Sequence, residues 1–187
     1  MNLILFGPPG AGKGTQSKYL VNKLNAFQIS TGDLLREEIN KNSDIGKAIA
    51  NDMNDGKFVS DEIVNKLIEN LVSDPKKKNN IIFDGYPRSL SQAKNLNSLL
   101  KESNQKIDLI LFLNVNKNTI IDRIKKRKKE ENRSDDELET TLRRYDTYME
   151  TTRPVLDFYS KNQNFHEIEG TLQIQEITRK IDTFINV

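Results

Sequence analysis

Apolar runs alternate with helical patterns along the whole chain. Five short apolar runs predict strands at residues 3–6, 27–29, 81–83, 109–113 and 165–168. The first, third and fourth runs are continuous rather than alternating, which is typical of parallel strands that are covered on both faces. Between the runs, apolar residues recur at the spacing of amphipathic helices. Alternation of this kind over 187 residues predicts one domain, with a parallel sheet between two layers of helices (α/β/α).

Two stretches do not fit the simple strand–helix alternation. Helical patterns over residues 33–54 come between the second and third predicted strands without a strand of their own. A polar stretch at 128–134 (KKEENRS) interrupts two later helical patterns. Segments inserted into a rigid core in this way are candidates for moving flaps.

A glycine-rich segment follows the first predicted strand. Residues 7–15 read GPPGAGKGT, which fits the spacing G-x-x-x-x-G-K, and a helical pattern comes next. Glycines let backbone N–H groups close around an anion, the helix N-terminus adds its dipole, and Lys13 adds a charge. Gly14 stands where the pattern usually has Ser or Thr, and the hydroxyl comes one residue later at Thr15. The sequence therefore predicts a phosphate-binding loop (P-loop) and nucleotide binding.

Arginine is the less common cation of this chain, with nine arginines against 20 lysines. The guanidinium group matches two phosphate oxygens at once, which the ammonium group of lysine cannot do. Six arginines fall in segments that carry other functional signals, and together with the P-loop they predict an anion clamp. These are Arg36, Arg88, Arg123, Arg127, Arg133 and Arg144.

Two further polar segments follow predicted strands. Residues 30–36 (STGDLLR) are typical of a helix start, which accounts for Asp33 but not for Arg36. Asp84 directly follows the third strand, where parallel sheets place their sites, so we expect it to hold Mg²⁺ through water molecules. Ser89 and Gln92 also have the spacing of a capping box.

Composition narrows the class of protein. The formal net charge is only +2, from 29 cationic and 27 anionic residues, so no large field favours nucleic acid or a membrane. The chain has no cysteine and no apolar stretch of about 18 residues. We expect a soluble cytoplasmic protein with small-molecule partners.

Four segments together resemble the adenylate kinase family, among the nucleoside monophosphate kinases. They are residues 7–16 (GPPGAGKGTQ), 30–36 (STGDLLR), 84–93 (DGYPRSLSQA) and 133–144 (RSDDELETTLRR). The resemblance implies a P-loop sheet with a helical flap for the nucleoside monophosphate (NMP) at 30–59 and a short lid at 126–136. It also implies a monomer that transfers the terminal phosphoryl group of ATP to AMP, reversibly and with Mg²⁺, giving two ADP. The short lid lacks the zinc-binding insert of longer forms, so no structural zinc is expected.

The resemblance also implies roles for individual residues. ATP would be bound by Gly10, Ala11, Gly12, Lys13, Gly14, Thr15, Arg123, Arg127, Gly170 and Leu172. AMP would be bound by Thr31, Arg36, Lys57, Phe58, Val59, Gly85, Tyr86, Pro87, Arg88, Gln92, Arg133 and Arg144. The residues implied to act on the transferred group are Lys13, Arg88, Arg123, Arg133 and Arg144.

Two alternatives stay open at this point. A UMP/CMP kinase would use the same chemistry with another base, although Thr31 and Gln92 resemble the residues of adenylate kinases rather than those of pyrimidine relatives. A GTPase-type switch is suggested by residues 116–119 (NKNT), which resemble the guanine-reading pattern N-K-x-D. Thr119 replaces the aspartate that would bind the guanine edge, which disfavours the switch.

Overall fold

The computed structural model describes residues 1–74, 80–131 and 137–185. Over these residues strands and helices alternate as the apolar pattern predicts. The strands are β1 Leu3–Phe6, β2 Phe27–Ser30, β3 Ile81–Asp84, β4 Leu109–Asn114 and β5 Phe165–Glu169. The helices are α1 Lys13–Leu24, α2 Thr31–Asn40, α3 Asp44–Asn54, α4 Asp61–Val72, α5 Leu90–Glu102, α6 Lys117–Glu131, α7 Leu138–Thr151, α8 Arg153–Tyr159 and α9 Ile174–Ile185. The five predicted strands are confirmed, and four of them extend one residue further than predicted.

The strands form one parallel sheet in the order β2-β3-β1-β4-β5. Side chains of β1 point alternately to its two faces. Ile4 and Phe6 belong to a core with helices α2, α3, α4, α5 and α8, whereas Leu3 and Leu5 belong to a second core with α1, α6 and α9. All four residues are buried, because helices cover both faces of the sheet. The predicted three-layer α/β/α fold is confirmed.

The register aligns the carboxyl ends of three neighbouring strands. Leu5 of β1 pairs with Asp84 of β3, and Ser30 of β2 pairs with the same Asp84. The loops that follow β1, β2 and β3 therefore leave the sheet side by side. This edge is where a parallel α/β sheet binds its ligands.

Helix α8 was not predicted from the sequence. It is short, and it begins directly after α7, separated from it by Thr152 alone. Pro154 lies in the first turn of α8, where its fixed φ and missing N–H are tolerated. Pro154 was therefore the feature of the sequence that could have indicated the start of α8. Val155, Leu156 and Tyr159 of α8 are buried in the core beside β1.

Helices α2 and α3 occupy the stretch between β2 and β3 for which helices without a strand were predicted. The boundaries of the NMP flap at 30–59 stay a prediction. The same holds for the lid at 126–136, of which residues 132–136 lie outside the described residues. In the described part of the chain, no helix is long and apolar enough to cross a membrane.

We predict that Ile82→Ala lowers the free energy of unfolding by about 2–5 kcal/mol, because Ile82 is fully buried in the central sheet and its loss leaves a cavity. Ile174→Ala is the matched control, since Ile174 is 58% exposed and its loss should cost less than about 0.5 kcal/mol. Urea unfolding of both variants measures the difference. Equal destabilisation would contradict the described packing.

Candidate active site

The P-loop runs from the end of β1 to the start of α1. Gly12 is the N-cap residue of α1 in the left-handed region (φ +96°), a conformation that glycine adopts without steric cost. As glycine, it offers no side-chain acceptor, and the first turn of α1 carries no acidic residue. Helix N–H groups that lack a cap bind anions, and the helix dipole strengthens this. The loop therefore has the geometry that the sequence pattern predicts.

Lys13 folds back over the P-loop. Its Nζ donates to the carbonyl oxygens of Gly7 and Pro8, at 2.6 and 3.1 Å. Burial lowers the pKa of Lys13 to about 8, and the charges of Arg88, Arg144 and Arg127 act in the same direction, while Asp84 opposes them. These contributions also indicate that the four cations share one electrostatic environment, as an anion clamp requires.

Arg88 lies in a tight turn after β3. The turn contains Gly85 at φ +73°, which favours glycine, and a cis peptide bond before Pro87. Nε of Arg88 donates to the carbonyl oxygen of Gly85 at 2.7 Å, and its terminal NH2 group donates to Oγ1 of Thr31 at 3.3 Å. Thr31 in turn donates to the Gly85 carbonyl at 2.7 Å. The start of α2 and the turn after β3 thus hold one guanidinium group between them.

Two other contacts complete the surroundings of Arg88. The ring centroid of Phe58 lies 4.8 Å from the guanidinium carbon, which is a cation–π distance. Oγ1 of Thr152, between α7 and α8, donates to the backbone carbonyl of Arg88 at 3.2 Å. Thr152 could not be recognised from the sequence as a neighbour of Arg88, because the contact joins positions 64 residues apart.

A small cavity of about 50 Å³ lies between the P-loop and the turn after β3. Lys13, Arg88 and Arg144 supply its positive charges, and Phe58, Gly85 and Pro87 form part of its wall. Helix α7 approaches the end of α3 closely here: a Cβ on Gly56 would lie 3.0 Å from Cγ of Arg144. The cavity has the charge and position of a phosphate site between the P-loop and the turn after β3.

A larger cavity of about 400 Å³ is lined by aromatic residues of β4, β5 and α7, including Phe112, Tyr145 and Phe165. None of the predicted site residues lines it. Its lining includes three carboxylates and one guanidinium group, that of Arg153. An anion would meet more negative than positive charge there, unlike in the smaller cavity.

Arg123 joins the P-loop to the turn after β5. Its two terminal nitrogens donate to the carbonyl oxygens of Ala11 and Gly170, at 3.1 and 2.7 Å. Burial lowers its pKa somewhat. Arg127 follows one turn later on α6, and Leu172 packs against the core beneath. Arg123 thus lies against the P-loop, and the assignment of these residues to ATP stays a prediction.

Other predicted site residues make contacts away from the cavity that Lys13, Arg88 and Arg144 line. Arg36 forms an ion pair with Asp33. The N-cap of α2 is Ser30, and the binding of AMP by Arg36 stays a prediction. Lys57 pairs with Asp55 at the surface, and Val59 is buried.

Tyr86 is fully buried, and its hydroxyl donates to Oδ1 of Asn65 at 2.8 Å. Burial raises the pKa of Tyr86 to about 12. Only the backbone of Tyr86 is therefore suited to contact a ligand. Arg133 lies outside the described residues.

Gln92 lies in the first turn of α5, where it is buried and faces α4. One of the two hydrogen bonds of the predicted capping box is present: Oγ of Ser89 accepts from the Gln92 N–H at 3.1 Å. The side chain of Gln92 has other partners than the backbone N–H of Ser89. Instead its Oε1 accepts from the backbone N–H of Arg88 at 2.7 Å, and its Nε2 donates to Asp61 at 2.7 Å. The sequence did not single out Asp61, because an acidic residue in the first turn of a helix is ordinary.

Asp84 offers carboxylate oxygens, the ligands that Mg²⁺ prefers, at the carboxyl end of β3 beside the P-loop. Its Oδ2 accepts from Ser17 and Gln28, at 3.3 and 3.0 Å, and burial raises its pKa. Its position and its carboxylate oxygens fit a residue that meets Mg²⁺ through water, and the raised pKa means that a bound cation would have to favour the ionised form. Within residues 1–74, 80–131 and 137–185, no group of three or more His, Cys, Asp or Glu could hold a metal ion. The absence of structural zinc stays a prediction.

The fold and the site together define a class: a parallel α/β protein whose P-loop and convergent cations bind nucleotide phosphates. A family model described as "Adenylate kinase" matches residues 5–164. The chain is 47% identical to an adenylate kinase of Pelagibacter ubique, over all of both chains. It is 41% identical to one of Caulobacter vibrioides (98% of this chain, 96% of the relative) and 38% identical to one of Porphyromonas gingivalis (100% and 96%). The chain belongs to the adenylate kinase family.

The lowered pKa of Lys13 predicts a pH dependence of ATP binding. Lys13 is charged below about pH 8 and loses its proton above it. Bound phosphate favours the charged form, so ATP binding raises this pKa and takes up a proton between about pH 8 and 10. The affinity should fall by up to about tenfold per pH unit above pH 8.

Calorimetry of ATP binding in two buffers of different ionisation enthalpy measures this proton uptake. Lys13→Arg is the matched variant, because its guanidinium group stays charged throughout this range and should remove the uptake. Equal uptake by both proteins would show that another group titrates.

Proposed function

We propose that this protein transfers the terminal phosphoryl group of ATP to AMP, reversibly, giving two ADP. The observation that carries the proposal is the convergence of Lys13, Arg88 and Arg144 on one cavity between the P-loop and the turn after β3. Membership of the adenylate kinase family supports the reaction. The similar relatives named adenylate kinase support AMP as the acceptor over UMP or CMP.

The GTPase alternative loses its main support. Oδ1 of Asn116 accepts from the N–H of Thr119 at 3.0 Å, so the segment that resembled a guanine-reading pattern caps the start of α6. No observation favours a nucleotide switch.

The reaction needs positioning more than covalent chemistry. A phosphate oxygen of AMP attacks the γ-phosphorus of ATP, the bond from that phosphorus to the β,γ-bridging oxygen breaks, and ADP leaves. In our proposal the P-loop and Arg123 hold ATP, and Arg88 and Arg144 hold the phosphate of AMP. The transition state spreads negative charge over the peripheral oxygens of the transferred group, and fixed cations stabilise that charge. Lys13 would reach this group by exchanging its two carbonyl partners for phosphate oxygens.

Asp84 would hold Mg²⁺ through water molecules. The ion, when bound with ATP, neutralises charge on the phosphates. The proposed flap at 30–59 and lid at 126–136 would exclude water, which otherwise competes with AMP as the acceptor. Arg133, which lies in the proposed lid, would then join the site.

Turnover with ATP and Mg²⁺ tests the proposal across AMP, CMP, UMP and GMP at low concentration. We expect AMP to give the highest kcat/KM, since the proposal assigns Gln92 and Thr31 to the acceptor site. Greater turnover of CMP or UMP would replace the proposal by a pyrimidine kinase, and hydrolysis of GTP alone would favour the switch.

Arg144 and Arg143 allow a matched test of the anion clamp, because they are neighbours on α7 with different surroundings. Arg144 lines the cavity, whereas Arg143 is half-exposed and lies 3.9 Å from Glu139. We predict that Arg144→Ala lowers kcat/KM for AMP by about a hundredfold or more. Arg143→Ala should stay within about twofold of the wild type, since surface ion pairs contribute little. Similar losses in both variants would contradict the assigned role of Arg144.

A further inference from the structure

The side-chain amide of Gln92 is held at both ends. Its oxygen faces the backbone N–H of Arg88, which can only donate, and its nitrogen faces the carboxylate of Asp61, which accepts when ionised. Rotating this amide by 180° would bring N–H against N–H at one end and oxygen against carboxylate at the other. Both contacts of the rotated amide would be unfavourable in a buried site. The two partners therefore fix which end of Gln92 donates and which accepts.

Asp61 is itself held in place. Its second oxygen accepts from Oγ of Ser89 at 2.6 Å, and the same Oγ accepts from the N–H of Gln92. Asp61 lies in the first turn of α4, while Ser89 caps α5. The carboxylate of Asp61 thus links α4, which follows the proposed flap, to α5, which carries Gln92.

One donor and one acceptor of the Gln92 amide remain. A primary amide has two N–H groups and two oxygen lone pairs, and among the residues that the structure describes one of each is used. Adenine offers an N6–H donor beside the N1 acceptor, which matches the remaining pair. A 6-oxopurine offers an O6 acceptor beside an N1–H donor, which matches only the rotated amide. An amide that rotated freely would bind both kinds of base.

We propose that Asp61 is a specificity-determining positioning residue, which acts through Gln92 to make the acceptor site select adenine over 6-oxopurines. The inference rests on the proposed function and on the implied role of Gln92 as an AMP-binding residue, here taken to face the base. A purely structural Asp61 would tie α4 to α5 and favour the helix dipole, but it would not affect the choice of base.

The test compares AMP with IMP, which differ only at the edge formed by N1 and C6. The readout is the ratio of kcat/KM for AMP to kcat/KM for IMP, with ATP and Mg²⁺. In Asp61→Asn the side chain can either donate or accept, so one of the two constraints on the Gln92 amide is lost. We expect the ratio to fall by about tenfold or more, as buried unmatched polar groups give discrimination of this size.

Asn65→Ala is the matched control. Asn65 lies one turn after Asp61 on α4 and also bonds across to the α5 side, through the hydroxyl of Tyr86. The Tyr86 hydroxyl also lies 3.3 Å from the backbone carbonyl of Gln92, but among the described residues no hydrogen bond joins Asn65 to the Gln92 side chain. This variant should therefore lower stability but keep the ratio within about twofold of the wild type. If Asp61→Asn does not fold, Asp61→Ser is measured in the same way, because its hydroxyl also both donates and accepts.

An unchanged ratio in a folded Asp61 variant overturns the inference and leaves the proposed function intact. A ratio that falls equally in Asn65→Ala also overturns it, because the effect would then come from the α4–α5 contact as a whole. A wild-type protein that does not turn over AMP overturns the proposed function, and this inference falls with it.

Discussion

The order of the parallel strands is the constraint on which the site depends. Because β3 lies directly beside β1, the P-loop after β1 and the turn after β3 leave the same edge of the sheet as neighbours. Lys13 and Arg88 are 75 positions apart in the sequence, yet they line one cavity. Helices on both faces keep the strands buried, so the two loops start from fixed points. The cation cluster is therefore a consequence of topology.

Convergent cations repel one another, and the fold offsets this with backbone carbonyl oxygens. Lys13 donates to two carbonyls of its own loop, Arg88 to that of Gly85, and Arg123 to two on separate loops. Carbonyl oxygens orient these side chains without cancelling their charge, which a carboxylate partner would do. Burial is the largest cause of the lowered pKa of Lys13, and the charges of Arg88, Arg144 and Arg127 lower it further, while Asp84 opposes them. Such preorganised charge is what stabilises a phosphoryl-transfer transition state.

The sequence predicted the parts of the structure that depend on short stretches of the chain. Continuous apolar runs gave the buried strands, and the glycine spacing gave the P-loop, because both signals lie within about ten residues. The roles of Asp61 and Thr152 were not predictable, since each acts through a hydrogen bond to a residue far away in the chain. Arg36 pairs with Asp33, three residues away, and its binding of AMP stays a prediction. Helix α8 was missed because it is short and follows α7 almost without a break.

The central claim is that the fold brings opposed cations together to hold two nucleotides with their phosphates end to end. A crystal structure with a bisubstrate analogue, two adenosines joined by five phosphates, tests this most directly. The account predicts that one adenosine lies beside Arg123 and the other beside Gln92. It also predicts that Lys13, Arg88 and Arg144 bond to the phosphate chain between them. Guanidinium groups that point into solvent, or an analogue bound in the larger cavity, would contradict the account.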